Sequence, residues 1–469
     1  MNRIWQKFYK HASFPNECKN LRQAINGGRQ NPAFVNALNF SEQLDCSLQA
    51  VAKPLARLKG FEKLTNVDEA LTLFLAALKP KRLGSTRIPL DEALGRVTAT
   101  TTTSPHDLPA FDRSAVDGYA IRAKDTFEAS QFKPKTLSLT EKDSISENQA
   151  KQLWTGNPLP FGADAVIMLE RTRAALKRKI EVLSALAPGD NVSKRGEDIQ
   201  KGEVVVEAGV RLLPHHVGLL AALGISHIDV VEKPKVATLS TGNELAELGK
   251  KASKHQIVDS NRFMIAGLVK ELGAEPESLG IARDNEDELK AKITEGLAKA
   301  DVVITTGGTS VGAADLVPIV IDKLGKPGVV VHGVALRPGM PTALAVLRNK
   351  PVFVLSGYPV ASTVGLEVFV RPVILRLLGI ENEPRPMLKA KLTKRTSGAL
   401  GRRVYLRVNV YQRGDDFFVD PLRTKGSGLL TSMTRANGYV IIPEDREGLN
   451  QDETVLVHLF APIRSDKHV

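Results

Sequence analysis

The chain has 469 residues, of which 42% are hydrophobic and 25% charged, proportions that exclude a disordered protein. Its two cysteines, Cys18 and Cys46, form no CxxC, which excludes a disulfide framework and a cysteine-based zinc site. The net charge is +12, with the excess at the two ends: nine Lys/Arg against three Asp/Glu in residues 1–60, fifteen against nine in 385–469, and balance between them.

The first eleven residues, MNRIWQKFYKH, are basic, and no apolar core follows them, so no secretory signal is predicted. Residues 1–60 read as an N-terminal extension. A helical apolar spacing runs through Phe34, Leu38, Leu44, Leu48, Val51, Leu55 and Leu58, broken by Pro54. A helix is predicted in 61–82, where Val67, Ala70, Leu71, Phe74, Leu75 and Leu78 keep a 3.6-residue period and Pro80 ends it. A short helix is predicted near Leu90–Leu94. From 97 to 232 short alternating strands with Gly/Pro turns follow, with one helix among them over 212–225.

The rhythm changes at 235. Strands are predicted at 235–240, 278–282, 301–306, 329–332, 342–347 and 351–356. Helices are predicted at 261–272, 286–299, 315–324 and 359–378. This alternation means βαβ units: a three-layer α/β domain with a mostly parallel sheet. After Pro384 and Pro386 the pattern returns to short strands, a separate small β domain. The most apolar stretch, 364–380, is interrupted by Arg371 and Arg376, so no membrane span is expected. Aromatics are 5% of the chain and do not interleave with the basic clusters, so no nucleic-acid interface is expected. The expectation is a soluble cytoplasmic protein.

In an open parallel sheet, ligands bind beyond the carboxyl ends of the strands. Four loops there are unusual: STGNEL (240–245), ARDNED (282–287), TTGGTSVGAAD (305–315) and SGYPVAS (356–362). The topology predicts that all four converge on one crevice. In the third, Gly307, Gly308 and Gly312 free backbone N–H groups to form an anion nest, and Thr305, Thr306, Thr309 and Ser310 add hydroxyl donors. The same loop contains a G-x-S-x-G at 308–312. A hydrolase would need a later acid and histidine at strand ends, and only His332, His458 and His468 follow. No P-loop motif occurs.

Earlier, Asp107, Asp112 and Asp117 recur every five residues in SPHDLPAFDRSAVDGYA. They either face a hard cation or close turns by accepting backbone N–H groups; composition alone does not choose. KRGEDI (194–199) is a charged turn. RPGMP (337–341) is a rigid turn whose Arg337 suits an oxyanion. Together these segments point to Mg2+ and a phosphorylated or oxyanionic substrate.

Taken in order, SPHDLPAFDRSAVDGYA, TGNPLPFGADAVIMLE, SKRGEDI, STGNEL, DSNRFM, TTGGTSVGAAD and RPGMP closely resemble the MoeA family, the molybdenum-inserting enzymes also found as the E domain of gephyrin. The resemblance covers about 61–463. It implies a dimer of multidomain α/β plus β subunits. The α/β molybdopterin-binding domain would be 61–82 with 233–383. A connecting β-rich domain would be 83–103 with 200–232, and a second β-rich domain, 104–199, would complete the partner's site. A C-terminal β-barrel would be 384–469. It implies that adenylylated molybdopterin and molybdate (or tungstate) give molybdenum cofactor with release of AMP, assisted by Mg2+.

Carried over by motif, Asp117, Glu197, Asp198, Glu244 and Asp315 would be catalytic, with Asp117, Glu244 and Asp315 at the metal. Thr241, Asp284, Gly307, Gly308, Ser310, Gly312 and Arg337 would bind substrate. The chain departs from the family pattern at Asn243, Ala313, Arg337, Met340, Ser356 and Tyr358, where Asp, Glu, Lys, Lys, Pro and Asn are usual. These departures frame an alternative: a paralogue that binds the pterin nucleotide with weak or tungsten-directed insertion.

Overall fold

The first helix shows how local chemistry sets the architecture. In the computed structural model, which describes residues 64–308, 316–422 and 426–465, helix α1 spans Val67–Leu78. The Asn66 side chain accepts the N–H of Asp68 (2.9 Å) and so caps the helix. Val67, Ala70, Phe74 and Leu78, three or four residues apart, are its buried face. That face packs on the central sheet of the α/β domain, with Phe74 edge-on to Phe353 at 5.2 Å between ring centres. The N-terminal extension, and Thr309, Ser310, Gly312, Ala313 and Asp315 of the glycine-rich loop, lie outside the described residues.

The sheet has six strands: β1 (Lys235–Thr241), β2 (Glu275–Ala282), β3 (Val302–Thr306), β4 (Pro327–His332), β5 (Ala343–Leu347) and β6 (Lys350–Leu355), in the spatial order β2-β1-β3-β6-β5-β4. The β2-β1-β3-β6 part is parallel, with Val236 opposite Val302 and Val303 opposite Val352. β5 and β4 join it antiparallel. The reason is local: Arg348 and Asn349, both at positive φ (53° and 58°), form the two-residue turn between β5 and β6. A two-residue turn of this kind makes a hairpin and leaves no room for a crossover.

Strand residues alternate between two buried faces. Val302, Ile304, Leu344, Val346, Phe353 and Leu355 pack with α1, α2 (Asn261–Glu271) and the segment after β6. Val303, Ala345, Leu347, Val352 and Val354 pack with α3 (Glu286–Lys299) and α4 (Leu316–Leu324). The domain is therefore three layers. The Asn285 carboxamide caps α3 by accepting from Asp287 and Glu288, and three acidic residues fill the first turn. The long helix after β6 runs as α5 (Pro359–Gly365), one π-turn (Leu366–Val370) and α6 (Arg371–Leu377). Pro372 lacks an N–H, and the π-turn absorbs the missing bond.

Before the sheet, Ser85–Pro89 pairs with His227–Val231, and Thr102–Thr103 with Val204–Val206. Between these pairs, six strands from Gly118 to Val182 form a second sheet over the core of Ile121, Leu137, Ile167, Ile180 and Val182. After the α/β domain come β7 (Met387–Leu392), β8 (Arg403–Arg413), β9 (Asp416–Pro421), β10 (Gly438–Ile442) and β11 (Thr454–Leu459). They pair in the ring β8-β9-β7-β11-β10-β8, a closed barrel. Leu336–Arg337 pairs parallel with Arg403–Val404 and seats the barrel on the α/β domain. Among the described residues no helix is long and apolar enough to cross a membrane.

Phe74 is fully buried, so Phe74→Ala is expected to lower stability by about 3–5 kcal/mol in equilibrium denaturation. A loss below about 1 kcal/mol would show that α1 is not part of this core.

Candidate active site at the strand ends

Two adjoining cavities lie at the carboxyl ends of β1, β3 and β6. The larger, about 690 Å3, is lined by Thr241, Glu244, Asp259, Asn261, Thr306, Gly307 and Gly308, among others. The smaller, about 370 Å3, is lined by Arg337, Arg402, Arg407, Tyr405 and Ser427, among others. Met340, Pro341, Ser356 and Tyr358 belong to both. Three of the four predicted loops converge here.

The fourth loop, after β2, does not line either cavity. Asp284 instead holds the neighbouring loop: its Oδ2 accepts the Asn243 N–H (3.3 Å), and its own N–H donates to Asn243 Oδ1 (3.2 Å). The reason is sheet order, which puts β2 at the edge.

The glycine turn is sterically forced. Gly307 has φ +99°, and a Cβ there would lie 2.3 Å from the Thr241 carbonyl oxygen; at Gly308, φ +62°, it would lie 2.6 Å from Val317. Only glycine fits either position. The Gly307 N–H donates to the Leu355 carbonyl (3.0 Å) and is thereby spent within the sheet. The expected hydroxyl donors also divide. Thr305 is fully buried and donates to the Phe353 carbonyl (3.4 Å), so it is a core residue; strand alternation turns it inward. Thr306 and Thr241 reach the cavity wall.

The two cavities differ in charge. Glu244 and Asp259 lie on the larger. Asp259 is buried and accepts the Arg262 N–H (3.2 Å), with Arg262 Nε 3.4 Å from its second oxygen. The smaller cavity carries arginines. Arg337 Nη1 donates to the Gly398 carbonyl (3.2 Å), and the buried Arg407 Nε donates to Ser432 (2.9 Å). Burial depresses the Arg407 guanidinium below its usual range and pushes the Tyr405 phenol up to about 12. The Arg402 guanidinium has no hydrogen-bond or ion-pair partner among the described residues. A cavity with three guanidiniums, one of them unengaged, matches the charge and donor geometry of a small oxyanion.

Asp259, Arg402 and Arg407 escaped the sequence reading. DSNRFM, one of the segments that resemble the family, held the signal for Asp259. Nothing in GRRVYLRV distinguishes a site from a barrel strand.

Asp117, Glu197 and Asp198 line neither cavity and lie exposed in the 104–199 region. There the carboxylates fold loops. Asp107 accepts the Lys201 N–H (2.8 Å), Asp112 that of Arg195 (2.7 Å) and Asp117 that of Thr155 (2.7 Å). All three thus accept a backbone N–H from a segment 38 to 94 residues away in the chain. Thr155 also donates its hydroxyl to Asp117 (2.7 Å). Its backbone N–H first and its hydroxyl second hold the Asp117 carboxyl below the usual range. Glu197 is likewise lowered, by the Ser193 hydroxyl and then the Lys194 N–H.

Fold and cavities define a class first: a three-layer α/β protein with a glycine turn and an arginine-lined cavity at its strand ends, joined to a β-barrel. Comparison with known proteins then names the family. Residues 65–224 match the family model described as "MoeA N-terminal region (domain I and II)", 237–376 match "Probable molybdopterin binding domain", and 389–460 match "MoeA C-terminal region (domain IV)". The molybdopterin molybdenumtransferase of Bacillus subtilis is 36% identical over 80% of this chain and 89% of its own. That of Haemophilus influenzae is 34% identical over 85% and 99%. The crystal structure of a MoeA protein from Pyrococcus horikoshii OT3 superposes with a TM-score of 0.74 at 34% identity, covering 85% of this chain and all of that one. The chain belongs to the MoeA family.

The Asp117 carboxylate keeps its tie to Thr155 above its lowered pKa and loses it as pH falls through that value. Thr155→Val removes the hydroxyl and leaves the N–H. The Asp117 titration midpoint, followed by NMR, is expected to rise part of the way toward the ordinary carboxylate value. An unchanged midpoint would show that the hydroxyl contributes nothing.

Proposed function

We propose that this chain is a molybdopterin molybdenumtransferase, acting in the cytoplasm as a homodimer that inserts molybdate into adenylylated molybdopterin and releases AMP. The observation that carries this reading is the pairing of an arginine-lined cavity with a larger cavity at the glycine turn, in a chain of this family. The phosphoanhydride-linked portion of the substrate lies in the larger cavity, beside the turn at Gly307–Gly308. Molybdate lies in the smaller one. Two Mo–S bonds form to the dithiolene, and one oxo ligand leaves as water with the two thiol protons. Water then cleaves the phosphoanhydride, giving AMP and the cofactor's phosphate.

Arg402, Arg407 and Arg337 neutralise the oxyanion as it approaches the dithiolene, a charge match worth most where water is excluded. Mg2+ is held in proteins by one or two carboxylates with phosphate oxygens and water completing its shell. Among the described residues no group of three or more His, Cys, Asp or Glu makes a cage of its own. Glu244 fits the sparser arrangement, because it lines the cavity assigned to the phosphates. Bound there, Mg2+ would draw charge from the phosphoanhydride. Asp315 and Ser310 would join from the loop after Gly308. Asp117, Glu197 and Asp198 line neither of this chain's cavities, which favours their serving a second copy's site.

The direct test is AMP release from adenylylated molybdopterin on adding molybdate to purified protein. No molybdate-dependent release would refute the reading. A charged hydrogen bond contributes about 1.5–3 kcal/mol. Arg402→Gln is therefore expected to raise the half-saturating molybdate concentration about ten- to hundredfold, and an unchanged value would remove Arg402 from the oxyanion site.

The shared site has its own test. Asp117→Asn and Asp315→Asn are each expected to be nearly inactive. Refolded together in equal amounts, about half the dimers are mixed, with one intact site each, so about a quarter of wild-type activity returns. No recovery, with mixed dimers confirmed by mass, would place both residues in one subunit's site.

A further inference from the structure

The arginine cavity has a wall that is held from behind. Along β8 the side chains of Val404, Leu406, Val408 and Val410 fill the barrel, so strand alternation turns Tyr405 and Arg407 outward. Both line the arginine cavity. Both also line a third cavity, of about 90 Å3, together with Glu367, Arg385 and Tyr439. Tyr405 and Arg407 therefore separate two open spaces, and packing alone does not fix where Arg407 stands.

A polar cluster supplies what packing lacks. Glu367 lies in the π-turn that follows α5. Its carboxylate accepts Arg385 Nε (3.1 Å) on one oxygen and Nη2 (3.0 Å) on the other. Arg385 stands between Pro384 and Pro386, in the linker that leads into β7. Its Nη1 reaches Glu271, the last residue of α2 (3.1 Å). Two helical segments of the α/β domain thus hold the linker to the barrel. Glu367 also accepts the Tyr439 hydroxyl (3.3 Å). Tyr439 is on β10, directly opposite Arg407 in the β8–β10 register, and its ring centre lies 5.3 Å from that of Tyr405. Burial first, and then the charge of Glu367, push the Tyr439 phenol above its ordinary range, so it remains a donor.

We propose that Glu367 is a positioning residue for the oxyanion: through Tyr439 and Arg385 it sets β8 against the α/β domain, so that Arg407 reaches into the arginine cavity and does not relax into the space behind. This rests on the oxyanion reading of that cavity given above. Glu367 itself does not line the arginine cavity, so it acts only through the wall. The Glu367 and Arg385 side chains are 14% and 18% exposed. Desolvation offsets much of what so shielded a pair gains, and its main effect is on where the chain is held.

The test measures molybdate affinity. Molybdate alone is titrated onto the full chain by equilibrium dialysis, and its half-saturating concentration is measured separately in AMP release. Tyr439→Phe deletes one oxygen and no charge, and it is expected to fold and to raise both values about threefold. Glu367→Gln is expected to raise both about tenfold, with AMP release at saturating molybdate unchanged. A merely structural role would lower the amount of active protein and leave the constants alone. Coupling decides the route. In an Arg407→Gln background neither variant is expected to raise the values further, whereas in an Arg337→Gln background, on the α/β side, the rises multiply. Unchanged constants in Tyr439→Phe and Glu367→Gln overturn the proposal, as do rises that multiply with Arg407→Gln. If Glu367→Gln fails to fold, Tyr439→Phe decides by the same two outcomes. If molybdate binds in this Glu367-dependent way and no AMP is released, the insertion reading fails and the positioning role stands. If wild type binds no molybdate, the oxyanion reading and this role fail together.

Discussion

The close approach of β1 and β3 at their carboxyl ends is the constraint on which the site depends. Gly307 comes so near the Thr241 carbonyl that any side chain would overlap it, and Gly308 is equally confined by Val317. Both positions take positive φ, so the chain turns sharply at the end of β3. The cavity exists in the space this turn vacates. The same contact explains why Gly307 gives its N–H to Leu355: the turn is pinned to β6. Asn261, whose amide donates to the Gly357 carbonyl (2.7 Å), pins the β6 loop from the other side. The opening is thus framed by backbone geometry.

The α/β domain was largely legible in the sequence because its signals are local. The helix over 286–299 carries its own cap and an acidic first turn, and the observed element has those bounds. Each strand of the sheet reads as a short apolar run between turn residues, and each is found within a few residues of its expected place. The departures are local too. The helix expected at 359–378 contains a π-turn ahead of Pro372, and the sheet turns antiparallel at the Arg348-Asn349 hairpin.

Of the arginine cavity only Arg337 was legible, for a physical reason. Arg337 sits on the turn after β4, while Arg402 and Arg407 lie some seventy residues on, around β8 of the barrel. What unites them is a two-residue parallel pairing, Leu336–Arg337 with Arg403–Val404. No periodicity announces a bridge of two residues. Around it, Arg403 forms a bidentate pair with Asp68 at the start of α1 (both 2.8 Å) and reaches Glu444. The Asp68 side chain is mostly exposed, so this pair orients the barrel more than it stabilises it. Asp117 was legible as a residue of interest but not in its local role, because the partner that holds it, Thr155, is distant in sequence.

The departures from the family pattern acquire a common logic in this geometry. With Met340 in place of a lysine and an arginine at 337, the turn before β5 brings one cation, tied to the Gly398 carbonyl, to the smaller cavity. The remaining positive charge comes from the barrel, through Arg402 and Arg407. Lysine is a strongly hydrated point charge that readily loses its proton when buried, whereas arginine is a planar fork that stays charged and sheds water at less cost. A cavity built from guanidiniums therefore holds its charge after burial, as Arg407 does despite the downward pull of desolvation. It also depends on the barrel keeping its seat. The pairing of Leu336–Arg337 with Arg403–Val404 and the Arg403–Asp68 pair are in that sense part of the proposed oxyanion site, since moving the barrel would remove two of its three cations without touching the α/β domain.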